Sequence, residues 1–119
     1  FEGRACFHDG AAEIAPGISL HHVGGHSLGL QVVRVRTRRG FVVLASDATH
    51  FYAHIEQKRV FPIVADVPAV LAGYETLNRL ASSPAHVIPG HDPLVLARYP
   101  ASAPGLEGIA ARLDAEPLA

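Results

Sequence analysis

The chain has 119 residues, 49% of them apolar, with ten Lys or Arg against eleven Asp or Glu and a formal net charge of -1. This suits one small soluble domain with a core; it argues against disorder, against a global field for nucleic acid or an anionic membrane, and against a bilayer span, which needs roughly 20 apolar residues in a run. The single Cys6 can form no internal disulfide, and the start does not resemble a signal peptide, so a reducing cytoplasm is expected. The chain holds no Met and opens at Phe1, which leads to the expectation that it is a piece of a longer chain.

Phe1 to Gly10 has no clear period and reads as the tail of an upstream element followed by a turn, with His8 solvated. Glu13 to Ala15 and Ile18 to Val23 read as two short strands joined by Pro16-Gly17, since Pro presets the first central turn position and Gly accepts positive φ. His21 and His22 point to opposite faces of the second strand, so the pair is a poor metal site. Gly24 and Gly25 then lead into His26-Ser27-Leu28-Gly29, where flanking glycines allow a sharp turn and close approach to a ligand.

Leu30 to Thr37 alternates apolar and polar residues, Arg38 to Gly40 makes a basic turn, and Phe41 to Ser46 runs apolar. This predicts a hairpin, with Arg34 and Arg36 facing water. Asp47 follows the second strand, where an acidic residue either carries chemistry or caps the next turn. Phe51 to Arg59 reads as a loop or short helix offering Tyr52 and His54 near the same end of the sheet. Asp66 to Ser82 is the clearest helix, with Asp66 as N-cap, Pro68 in the first turn, and Val67, Val70, Leu71, Tyr74, Leu77 and Leu80 at helical spacing. His86 to Ile88 makes a brief buried strand, and Gly90-His91-Asp92-Pro93 turns out of it. After a Pro-rich link from Pro100 to Pro104, Leu106 to Leu113 is predicted to form a short helix.

A hairpin brings its open ends together, so His26 before the first strand and Asp47 after the second should lie close in space. His91 again follows a strand and a glycine. These three residues form the predicted metal constellation, built on rigid elements.

The strings GGHSLG, SDA after an apolar strand, and VIPGHDP after a helix resemble the C-terminal half of a metallo-β-lactamase-fold hydrolase, in the branch of N-acyl homoserine lactonases. The resemblance covers about residues 10–100, with 101–119 left as a tail and helix. It implies an α/β fold, the αββα sandwich, of which this chain would be an incomplete C-terminal half with a mixed sheet plus helices. It implies two metal ions, usually zinc: His26 completing the first ligand set, Asp47 bridging both ions and His91 binding the second. The ligand types suit zinc, which takes imidazole nitrogen and carboxylate oxygen. By the same resemblance a metal-bound hydroxide attacks the lactone carbonyl and opens the ring. A tyrosine after the bridging Asp would hold the substrate carbonyl; here His50 stands where tyrosine is expected, so His50 or Tyr52 is the candidate catalytic and substrate contact.

The family's HxHxDH motif, which supplies the remaining ligands, is absent from this sequence. The missing N-terminal half of the same domain is therefore an expected partner, the chain alone is expected to bind zinc weakly and to hydrolyse nothing, and its inner sheet face is expected to be sticky. The small-molecule partner is a lactone or ester; no nucleic acid or membrane is expected, and a homodimer stays open. A thioester or β-lactam substrate is the alternative within the fold, and a non-catalytic metal-binding or interaction module is the alternative outside catalysis.

Overall fold

The computed structural model describes residues 3–118. Phe1 and Glu2, part of the predicted N-terminal tail, lie outside the described residues. The architecture is α/β: a five-stranded mixed sheet in chain order, β1 (Ala12–Ala15), β2 (Ile18–His22), β3 (Gln31–Thr37), β4 (Gly40–Leu44) and β5 (Val87–Ile88). The first four strands are antiparallel neighbours, and β5 runs parallel to β4. Three helices complete it: α1 (Tyr52–Glu56), α2 (Val67–Leu80) and α3 (Leu94–Arg98). Among the described residues no helix is long and apolar enough to cross a membrane.

The predicted hairpin forms with Thr37 opposite Gly40 across the Arg38-Arg39 turn. Helix α2 starts where the sequence predicts, with the Asp66 Oδ1 accepting from the Ala69 N–H at 2.9 Å. Val70, Tyr74 and Leu77 recur at helical spacing and bury against Val32, Val43 and Val87, which share the covered face of the sheet. Burial of such side chains, each worth roughly 1.5–3 kcal/mol, is what joins α2 to the sheet. The crossover through α1 and α2 lets β4 and β5 run parallel, and both deliver their carboxyl ends to one edge. The start of β3, antiparallel to β4, lies at that same edge.

The opposite sheet face is covered at the β4–β5 side, where Val42, Ile88 and Tyr99 pack with Val95, Ala111 and Leu113. Further across, the cross-strand row Leu20, Val33 and Leu44 is half-buried or exposed.

Two expectations change, and one unassigned segment takes form. Leu106 to Leu113 is a series of turns, with Ala101 bridged to Ala111; Gly105 and Gly108 both take positive φ (83° and 72°), which interrupts a right-handed helix. Leu94–Arg98, between the turn at residues 90–93 and the link from Pro100 and unassigned from the sequence, forms α3, a helix too short to display a period. Arg34 turns toward the helix layer: its Nε donates to the Leu80 carbonyl at the end of α2 at 2.9 Å, and its guanidinium lies 3.4 Å from the Phe41 ring centroid. A cation there answers the free carbonyls of a helix C-terminus. Arg36 is exposed, as expected.

Candidate metal centre

Three loops at one sheet edge hold the predicted constellation. The His26 loop is tied to the entry of α2, because the Gly25 carbonyl accepts from the Ala65 N–H at 2.9 Å and the Asp66 N–H at 3.0 Å. Gly25 has φ +90°, and a Cβ there would meet the Val70 backbone nitrogen at 2.9 Å, so only glycine lets the loop lie on the helix. The His26 Nδ1 stands 2.7 Å from the Ile63 carbonyl. A carbonyl only accepts, so Nδ1 is the donor, which in the neutral ring leaves the Nε2 lone pair free; this is how a second hydrogen bond orients a metal-binding imidazole.

Asp47 sits in a single 3₁₀ turn, Ser46–Ala48, immediately past β4. Its Oδ2 lies 3.9 Å from the His26 Nε2, so the hairpin ends do meet. Across the parallel pair, β5 delivers His91, whose Nε2 stands 2.5 Å from the Asp47 Oδ1. The His91 N–H donates to the His50 carbonyl and the Gly90 N–H to the Thr49 carbonyl, both at 3.0 Å, lacing the two loops together. His26, Asp47 and His91 are thus brought together.

His50 joins them. Its Nε2 is 3.5 Å from the Asp47 Oδ1, and its ring stacks on Phe61 with centroids 3.8 Å apart. The His91 ring meets it edge-on at 4.6 Å. Burial first, and then the neighbouring His91, hold the His50 pKa below its ordinary value. Among the described residues its Nε2 is shielded from solvent and has no hydrogen-bond partner.

Tyr52, the other candidate substrate contact, goes elsewhere. It is 6% exposed and begins α1, with the Arg98 guanidinium 3.9 Å above its ring. It lines a cavity of about 390 Å³ with Ile55, Lys58, Asn78 and Arg98 rather than joining the Asp47 group. Burial pushes its phenol up to about 12, with Tyr99 adding to the rise. The His54 ring stacks against Phe61 with centroids 5.3 Å apart. His21 and His22 have local partners, the Ser19 hydroxyl at 2.9 Å and the Leu28 carbonyl at 2.7 Å.

Asp92 was not anticipated. Its carboxylate accepts from the Tyr52 N–H and from the Leu94 N–H, each at 2.9 Å, pinning the starts of α1 and α3 beside His91. The adjacent acid in the GHDP string was the available signal. The Ile63 carbonyl and the Phe61 ring come from a segment without periodicity, and nothing in the sequence marks them.

The donors fit a metal. Asp47, His50 and His91 each offer one ligand atom, all within 4.8 Å of one another, and the His26 Nε2 lies beside the second carboxylate oxygen. Imidazole nitrogen and carboxylate oxygen together suit zinc and similar divalent ions. The unpartnered buried nitrogen of His50 is what such an ion would satisfy.

Solved structures share this fold. Over 71% of the chain, an N-acyl homoserine lactone hydrolase with the product N-hexanoyl-L-homoserine bound at its catalytic metal center superposes with TM-score 0.62 and 27% identity. This chain is similar to the N-acyl homoserine lactonases. A quorum-quenching N-acyl homoserine lactone lactonase matches at the same TM-score, identity and coverage. A probable metal-dependent hydrolase from Staphylococcus aureus shares the fold, with TM-score 0.60, 19% identity and 77% of this chain covered. The matched part amounts to 34%, 35% and 32% of those chains respectively, so the lactonase-like chain spans about a third of their length. No protein-family model matches the sequence, and no curated protein matches it.

Proposed function

We propose that the chain is the ligand-bearing part of a zinc-dependent hydrolase that opens a lactone ring of the N-acyl homoserine lactone type. The observation that supports this reading is the convergence of His26, Asp47 and His91 from three strand ends at one sheet edge. The lactonase neighbours supply the substrate class.

In this reading Asp47 would serve both ions of a pair, with His26 at one and His91 at the other, and its two oxygens are turned to these different histidines. A bound divalent ion supplies Lewis acidity toward the ring carbonyl and lowers the pKa of water. The chain's own contribution is orientation: the Ile63 carbonyl fixes the His26 tautomer, Asp92 pins the loop that carries His91, and Phe61 backs the ring of His50. Ring opening consumes one water, breaks the ester C–O bond and leaves a hydroxy acid. Further ligands come, in this proposal, from an upstream part of the same domain, and the chain alone turns nothing over.

The test is lactone hydrolysis by the parent protein, followed by pH-stat, with variants at the three ligands. Asp47→Ala is expected to abolish turnover while the protein stays folded. Full turnover in that variant would overturn the reading, and a panel adding a thioester and a β-lactam would fix the substrate class.

A further inference from the structure

We propose that His50 is itself a metal ligand, so that Asp47, His50 and His91 hold one divalent cation with residues of this chain alone. The inference rests on the metal-dependent reading and assigns His50 a role other than substrate contact.

Accessibility is the first argument. A group that hydrogen-bonds a substrate must present its polar atom to the open site, and the His50 Nε2 is shielded from solvent. It faces the Asp47 Oδ1 at 3.5 Å, on the same carboxylate oxygen that meets the His91 Nε2. Donor atoms bound to one zinc at ordinary bond lengths lie about 3.3 Å apart. The separations from the Asp47 Oδ1, 3.5 Å to His50 and 2.5 Å to His91, stand on either side of that value, and the three donor atoms lie within 4.8 Å of one another.

Hydrogen bonding is the second argument. A buried imidazole nitrogen normally finds a partner, and this one has none among the described residues. Rigidity is the third. The ring is clamped between Phe61, stacked at 3.8 Å, and the edge of His91 at 4.6 Å, so little side-chain freedom remains to be lost on coordination. Three protein ligands on one ion leave a fourth position open, the arrangement of catalytic rather than structural zinc. His26, on the other carboxylate oxygen at 3.9 Å, remains available to a second ion.

The experiment is titration of the metal-free chain with zinc by calorimetry and with cobalt(II) by visible absorption, for the wild type, His50→Phe and His50→Gln. The wild type is expected to bind one equivalent. Each variant is expected to bind at least tenfold more weakly and to show weaker cobalt bands as a nitrogen ligand is replaced by water. Unchanged affinity and bands in the variants would overturn the role of His50 while leaving the metal reading intact. No binding by the wild type would overturn the proposal that residues of this chain alone hold an ion. If circular dichroism shows that neither variant folds, ¹⁵N spectra of the wild-type histidines with and without zinc decide: a large zinc-induced shift at the His50 Nε2 is expected, and its absence overturns the proposal.

Discussion

Gly90 lies against the backbone of Ser46 so closely that a Cβ on Gly90 would stand 2.6 Å from the Ser46 carbonyl oxygen. The loop carrying Asp47 and the loop carrying His91 are therefore in backbone contact, and their separation sets the distance between the two side chains. Ser46 contributes by adopting φ 46°, a left-handed conformation that non-glycine residues seldom take. Gly90→Ala should push the loops apart, lowering stability by ~1–3 kcal/mol as an overpacked site does and weakening metal binding with it. Thermal unfolding and zinc calorimetry of the variant check both; an unaltered Tm would show that the loops yield without cost.

The N-cap of α2 serves the site as well as the helix. Asp66 accepts from the Ala69 N–H through its side chain, and its own N–H holds the Gly25 carbonyl next to His26. Asp66→Ala should cost ~1 kcal/mol of stability, the usual loss for an N-cap. Zinc affinity should fall less than in the Gly90 variant, because the backbone tie to Gly25 survives the substitution. Denaturant unfolding of the two variants measured side by side gives the comparison.

Tyr74 makes the core sensitive to alkali. It is 1% exposed, and its hydroxyl donates to the Arg59 carbonyl at 2.8 Å. Burial raises its pKa above the ordinary value of 10.0. The folded chain therefore holds this proton more tightly than the unfolded one, and the associated stability is fully present below pH 10 and lost as pH rises through the folded pKa. Tyr74→Phe should lower stability at pH 7 by about 1 kcal/mol through the lost hydrogen bond, yet flatten the decline above pH 10. Urea midpoints across pH 7 to 11 test the crossing of the two curves.

What could be read from the sequence divides by physical cause. The β3–β4 hairpin and α2 were legible because period-2 and period-3.6 patterns persist for several residues there, and Asp66 and Pro68 mark the helix start. The joining of His26 to Asp47 followed from the hairpin itself. His50 and Tyr52 could not be separated in advance, since both lie just beyond a one-turn 3₁₀ segment and their rings pack on Phe61 and against Arg98 respectively. Arg34 alternates with apolar neighbours as a solvent-facing residue would, and only the distant Leu80 carbonyl explains why it turns inward. Leu106 to Leu113 has apolar spacing compatible with a helix, but Gly105 and Gly108 take the left-handed backbone that breaks it.

The apolar row across β2, β3 and β4 bears on how the chain behaves alone. Leu44 is 36% exposed, beside the half-buried Leu20 and Val33. A contiguous apolar sheet face of this kind promotes association. Leu44→Lys should raise solubility and lower light scattering of the chain at high concentration without loss of the far-ultraviolet dichroism. Unchanged scattering would mean that the face is not the source of self-association.

In the proposed reading the loops after β4 and β5 and before β3 make a metal site around Asp47. Its most direct test is calorimetric titration of zinc into the chain and into Asp47→Ala, with dichroism confirming that both are folded. The account predicts saturable binding by the wild type and a loss of at least a hundredfold in affinity when the carboxylate shared by His26, His50 and His91 is removed. Equal zinc affinity in the two proteins would contradict it.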